Sequence, residues 1–191
     1  MGRSPATVGL AVLAAVAGCA GGARTPEEAQ QRLGQAVAAR DGERLFDALD
    51  LDTRWSWMSI QRAERETYDI ILSNFPEGAE RERYLRRCQE GALSESARKL
   101  FARRLEPGAW EGLAAGLAGA GPPQQIAEDR AEGGSPGHKL LYRRSLGRRG
   151  GWGFAGLAAE GEEIKRRALA DLDVVRTSAA DYERAATRSR P

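Results

Sequence analysis

The sequence predicts a helix-rich α+β domain: a set of N-terminal helices, a small antiparallel sheet of about three strands, and a long C-terminal helix. Three observations carry that prediction. Residues 25–118 hold successive segments in which helix-starting and helix-stopping residues bracket apolar positions spaced three and four apart. After Gly119–Pro123 come three strand-like runs, at about Gln125–Ala131, Lys139–Ser145 and Trp152–Leu157. From about Gly161 to Ala186, the residues Ile164, Ala168, Leu172, Val175, Ala179 and Tyr182 trace one continuous apolar stripe, which a helix in water must bury against something else.

The elements follow in order. Thr25-Pro26-Glu27-Glu28 offers a hydroxyl N-cap, a proline at the first helical position and a glutamate two residues further, so a helix starts here with Ala29, Leu33 and Val37 on its inner face. Asp41-Gly42 breaks it, and a short helix with Leu45, Phe46 and Leu49 follows. Asp52 and Thr53 are expected to cap a third helix from about Arg54 to Asn74, with Trp57, Ile60, Ile71 and Phe75 among its apolar positions. Pro76 is expected to open a fourth to about Gln89, Ser94 to cap a fifth through Leu105, and Pro107 to begin a sixth containing Trp110, Leu113 and Leu117. The glycines of Leu146–Gly151 suit a hairpin turn between the second and third strands. Trp55 and Trp57 stand two residues apart and cannot share a helix face, so Trp57 goes to the core, while Trp55 is open to packing, to a groove or to a membrane contact.

The chain begins with a basic position at Arg3 and an apolar run from Ala6 to Ala17, about half the roughly 20 residues that a membrane-crossing helix needs. That is the pattern of an export signal. Its end, Val16-Ala17-Gly18-Cys19, resembles the bacterial lipobox. The resemblance implies lipid transfer to the Cys19 sulfur, cleavage before it and acylation of the freed amine with a palmitate-like chain. Ala15-Val16-Ala17 also fits the rule for ordinary secretion, which would leave a soluble chain. Ala20 is not the aspartate that retains some lipoproteins in the inner membrane, so the resemblance favours the outer membrane. The expected organisation is a signal peptide over 1–18, a lipidated short tether over 19–24, one globular domain over 25–187 and a disordered tail over 188–191. Five residues between Cys19 and Thr25 reach at most about 17 Å, so the domain should ride close to the lipid. With Cys19 acylated, Cys88 has no disulfide partner and is assigned to the apolar side of a helix.

A second resemblance rests on Thr25-Pro26-Glu27-Glu28-Ala29, on the run from Ala38 to Asp50, and on Gly150-Gly151-Trp152-Gly153-Phe154. These are similar to the first two helices and the late glycine-tryptophan strand of the nuclear-transport-factor-2-like superfamily. The resemblance implies a curved antiparallel sheet under helices, enclosing a cone-shaped pocket. The sequence departs from that pattern by a helical insert over 54–118 and by a long helix after the last strand. No member's active-site residues are carried across.

Chemical motifs are weak throughout. Gly151-Trp152-Gly153-Phe154-Ala155-Gly156 matches a dinucleotide-binding glycine pattern, but it lies within a strand and not between a strand and a helix. Ser96-Ala97-Arg98-Lys99 matches the acylating serine motif of penicillin-binding enzymes, without the S-D-N and K-T-G elements that complete it. His138 is the only histidine and follows a glycine-rich loop, and Asp50-Leu51-Asp52 offers too few oxygens for calcium. No metal site, cofactor or catalytic set is assigned.

The least ordinary feature is charge. Gly133–Ala159 contains no acid but holds Lys139, Arg143, Arg144, Arg148 and Arg149, in a chain whose net charge is +2. Such a hairpin could bind anionic phospholipid, lipopolysaccharide phosphate or cell-wall carboxylates. The near-neutral total gives no reason to expect nucleic acid. The function expected is therefore a non-enzymatic binding or interaction module held at a membrane through Cys19, with an anionic envelope component or an envelope protein as partner. A small cone-pocket hydrolase or isomerase and a carrier of an apolar ligand are the alternatives.

Overall fold

Backbone donors at the start of a helix need acceptors, and the sequence supplies a capping side chain at Thr25, Asp41, Asp50 and Ser96 of this chain. The computed structural model describes residues 22–146 and 150–188. Helix α1 (Pro26–Ala39) begins at Thr25, whose hydroxyl accepts the Glu28 amide, while the Glu28 carboxylate accepts the amide of Arg24 at 2.8 Å. Arg40 ends it in the left-handed region, with φ of 47°. Asp41 then caps α2 (Gly42–Ala48) through bonds to the amides of Glu43 and Arg44.

Helix α3 (Leu51–Asn74) starts earlier than Asp52 and Thr53 suggest, because Asp50 is the cap: its carboxylate accepts both of their amides. Helix α4 (Ala79–Ala92) starts after Gly78, and Pro76 lies before it, not within it. Ser96, not Ser94, caps α5 (Ala97–Arg104); the Ser94 hydroxyl donates to the Ser96 carbonyl instead. Pro107 opens α6 (Pro107–Leu117) as expected.

The sheet has four antiparallel strands in the order β1 (Gly121–Ala127), β2 (Arg130–Ser135), β3 (His138–Arg144) and β4 (Trp152–Phe154). The run read as one strand over Gln125–Ala131 spans the turn at Glu128-Asp129 between β1 and β2. The glycine-rich stretch before His138 is strand, not loop: Ser135 pairs with His138 across Pro136-Gly137, with Gly137 at φ 86°, the proline-then-glycine arrangement of a type II turn. Helix α7 (Ala158–Arg188) then runs about 46 Å, from its 31 residues at 1.5 Å each.

Helices α1 and α6 lie on one face of the sheet, and Ala131, Leu140, Tyr142 and Phe154 point into the core they share with Leu33 and Leu113. The same core continues through Phe46, Trp57 and Phe101, with Trp57 edge to face on Phe101 at 5.1 Å and Phe46 tilted against Phe101 at 5.8 Å. A second, smaller core of Ile71, Phe75, Cys88, Val175 and Ala179 joins α3, α4 and α7, with Tyr182 stacked on Phe75 at 4.9 Å. Trp57 and Phe75 are thus buried as expected, and Trp55 is exposed.

Two junctions close the outer edge of β4. Ala23 pairs with Trp152 through both backbone bonds, at 3.0 and 2.7 Å, and the Asp50 amide donates to the Phe154 carbonyl at 3.0 Å. Glycines make these approaches possible: a Cβ on Gly22 would fall 2.7 Å from the Gly151 Cα, and one on Gly153 would fall 2.5 Å from the Asp50 nitrogen. The glycine pattern in this strand therefore serves backbone contact. Because the obstacles at Gly153 are backbone atoms, Gly153→Ala should destabilise the fold by about 1–3 kcal/mol, read as a lower urea midpoint. An unchanged midpoint would show that the junction yields easily.

Candidate functional site

Among the described residues, the basic positions singled out in the sequence, Lys139, Arg143 and Arg144, stand in three different environments. Arg143, on β3, pairs in register with Gly153, and its guanidinium crosses to Asp50 at 2.7 Å and to Asp52 at 3.6 Å. Asp50 is fully buried and accepts four donors: two amides of α3, the Thr53 hydroxyl at 2.5 Å and Arg143. Beside them the Ser145 hydroxyl accepts the Leu51 amide. Arg143 is therefore a structural tie between sheet and helix. Lys139, at the far end of β3, is paired with Glu132 at 2.6 Å.

Arg144 differs from both. It is exposed, lies opposite Trp152 in the register, and has no ion pair among the described residues. Arg148 and Arg149, like Cys19, lie outside the described residues. The β3–β4 end of the sheet also carries Leu146, 79% exposed, and stands one strand from Ala23, next to the exposed Arg24. Sequence spacing gave no sign of this, because Ala23 and Trp152 are brought together only by the fold.

A different site lies between α3, α4 and α7. A cavity of about 100 Å³ is lined by Glu64, Thr67, Cys88, Ile164, Asp171 and Val175, among others. That volume holds roughly three waters at about 30 Å³ each. Glu64 is gripped at both oxygens by Arg104, at 2.8 and 2.7 Å, and Arg104 also reaches Glu90 at 2.7 Å. Gly91 is what lets Glu64 lie there, since a Cβ would fall 1.9 Å from its carboxylate. Arg87 clamps Asp171 across the mouth at 2.8 and 2.9 Å. The Thr67 hydroxyl, buried, has no hydrogen-bond partner among the described residues.

Burial, and then the negative charge of Glu64, push the Cys88 thiol up to about 11. A thiolate is the reactive form, so this cysteine is a packing residue in a site that holds α4 against α7. Among the described residues no group of three or more His, Cys, Asp or Glu could hold a metal. Ser96 caps α5 and Lys99 pairs with Glu95, which accounts for both ends of the serine-lysine motif; His138 is exposed at the start of β3.

On the other side of the sheet, a shallow groove of about 280 Å³ runs over Ile126, Leu141, Ala155 and Ala158, flanked by Arg130 and Arg143. Comparison with known proteins finds no matching family model, no similar curated protein and no similar solved structure. The fold defines a helix-rich α+β domain with its sheet edge closed by its own N-terminal segment.

Two consequences are measurable. Replacing Asp50 by alanine removes a helix cap and the buried partner of Arg143 together, and should cost about 2–4 kcal/mol in thermal or urea unfolding. A double-mutant cycle with Arg143→Met should give a coupling above about 1 kcal/mol; zero coupling would mean that the cap alone matters. Cys88 should resist alkylation in the folded protein at pH 8 and react once urea unfolds it. Because the folded thiol titrates above the unfolded one, its contribution to stability is intact below about pH 9 and is lost as pH rises through about 11. Fast alkylation of the folded chain would overturn that assignment.

Proposed function

We propose that this chain is a membrane-anchored envelope lipoprotein, acylated on Cys19, whose domain acts as a non-enzymatic binding module at the membrane surface. The observation that supports it best is the pairing of Ala23 with Trp152. Only Ala20, Gly21 and Gly22 separate that pairing from Cys19, so about 14 Å of extended chain is the longest possible reach from the acceptor sulfur's residue to the folded sheet. The tether is shorter than the sequence suggests, since the fold takes up the chain at Ala23 and not at Thr25. An anchored domain on such a tether works on components of the membrane it stands on, or on proteins seated there.

Among the described residues no helix is long and apolar enough to cross a membrane, so in this reading attachment depends on the lipid. Two or three acyl chains hold a protein far more durably than one, at about 0.8 kcal/mol per buried methylene. A binding role is preferred to a cone-pocket hydrolase or isomerase, or to an apolar-ligand carrier, because the inner face of the sheet is filled: Gly116 of α6 approaches so closely that a Cβ there would meet Leu140 at 2.9 Å.

Mass spectrometry of the N-terminal peptide from the membrane fraction should find Cys19 carrying diacylglyceryl and an acyl amide. Cys19→Ser should abolish that mass and the processing that depends on it. An unmodified Cys19 in a processed chain recovered from the soluble fraction would sink the proposal.

A further inference from the structure

Two exposed arginines and an exposed leucine share the end of the sheet at which the chain enters the fold. Ala23 is bonded to Trp152, and Trp152 pairs with Arg144, so Arg144 stands two strand spacings, roughly 10 Å, from Ala23 and its neighbour Arg24. Leu146, two residues past Arg144, is the most exposed large apolar side chain among the described residues. We infer that this end of the sheet lies on the membrane, with Arg24 and Arg144 against anionic phospholipid headgroups and Leu146 at the acyl boundary. The inference rests on the reading of Cys19 as the anchor for its geometry, and takes it further by naming the face and its occupant.

The apolar run and Cys19 lie upstream of Gly22, the first described residue, so the segment that carries the anchor enters the fold at this end. The charge around it is mixed, with the two exposed arginines standing among acids of the neighbouring turns. Glu28, whose carboxylate accepts the Arg24 amide, is matched by Arg32 at 2.5 Å, leaving Glu27 as the unmatched acid of that turn. Next to Arg144, whose amide donates to the Asp129 carbonyl at 2.8 Å, the β1–β2 turn holds Glu128 and Asp129, and Arg130 offsets Asp129 at 4.0 Å. An exposed aliphatic residue set among arginines suits an interface where apolar and anionic layers meet within a few ångströms. Lys139 does not belong to this face: it lies five residues up β3 from Arg144, about 17 Å away, and is paired with Glu132.

The test uses the purified chain with Leu146→Cys carrying an environment-sensitive fluorophore. The buried Cys88 does not compete for the label, nor does an acylated Cys19, whose sulfur is a thioether; an unacylated chain is labelled on a Cys19→Ser background. The labelled chain is put on vesicles of phosphatidylcholine alone and of phosphatidylcholine mixed with phosphatidylglycerol. A blue shift at position 146 that is larger on the anionic vesicles and is reversed by salt is the expected result. Arg24→Ser with Arg144→Ser should weaken the anionic preference by about thirtyfold, from two cations near a charged surface, whereas Lys139→Ser should leave it unchanged. A fluorophore at Leu93→Cys, exposed on the helical half, should stay in water throughout. Equal emission from positions 146 and 93 on both vesicles, or a preference indifferent to Arg24 and Arg144, would overturn the inference. The mass of the Cys19 peptide is measured on the same sample. A chain without acyl groups that still shows the shift refutes the anchor and keeps the face; an acylated chain without the shift does the reverse.

Discussion

Asp50 joins the two halves of this molecule. Its backbone amide extends the sheet by donating to Phe154, its carboxylate starts α3, and the same carboxylate receives Arg143 from β3. Helix and sheet are thereby set at one angle by one residue. A buried carboxylate is expensive unless every lone pair finds a donor, and here four donors converge on it. The arrangement also explains the neighbouring residues: Gly153 must lack a side chain for Asp50 to approach, and Arg143 must stand opposite Gly153 for its guanidinium to cross. Three residues far apart in the chain are specified by one contact.

A four-stranded sheet has two edges to protect, and they are protected differently. At β1 the prolines Pro122 and Pro123 remove amide donors from the edge. At β4 the protection is backbone pairing, from Ala23 at one end and from the turn between α2 and α3 at the other. A strand of only three residues, all buried, would gain little from pairing on one side alone. The segment Gly22–Ala23 is thus part of the fold, and any pull on the chain upstream of it is transmitted to β4 through two hydrogen bonds and the Gly22–Gly151 contact.

Much of the fold was legible because its signals are local. Thr25, Asp41 and Pro107 mark helix starts by chemistry that acts within one turn, and the stripe from Ile164 to Tyr182 needs only a period. The misplacements share a cause. Asp50 and Asp52 are both able to cap, and so are Ser94 and Ser96; Asp50 caps because it also satisfies Phe154 and Arg143, whereas the Ser94 carbonyl is held by Gln61 and Arg65 and the cap falls to Ser96. The run around Gln125–Ala131 concealed a turn because Glu128-Asp129 carries neither glycine nor proline. Gly133 and Gly134 looked like loop, yet Gly134 sits at φ 107° beside the His138 carbonyl, where a Cβ would fall 2.1 Å away. The cavity between α3, α4 and α7 left one trace in the sequence, Gly91 within a helix, and a helical glycine has too many causes to single out a close carboxylate.

The basic hairpin shows why a run of like charges is not yet a charged surface. Lys139 and Arg143 contribute to the formal count, but each stands within 3 Å of an acid that lies elsewhere in sequence, Glu132 in the first case and Asp50 in the second. At physiological ionic strength fields die away over about 8 Å, so a cation matched at hydrogen-bonding distance contributes little to what an approaching surface feels. The exposed pair with Glu132 adds at most about 1 kcal/mol of stability, and its main effect is to cancel that field. Arg143 is withdrawn more completely, because moving its guanidinium to an outside anion would leave Asp50 buried with a charge and no counterion. Of the hairpin's cations among the described residues, Arg144 is the one left without an ion pair, and it stands near the point where the chain enters the sheet.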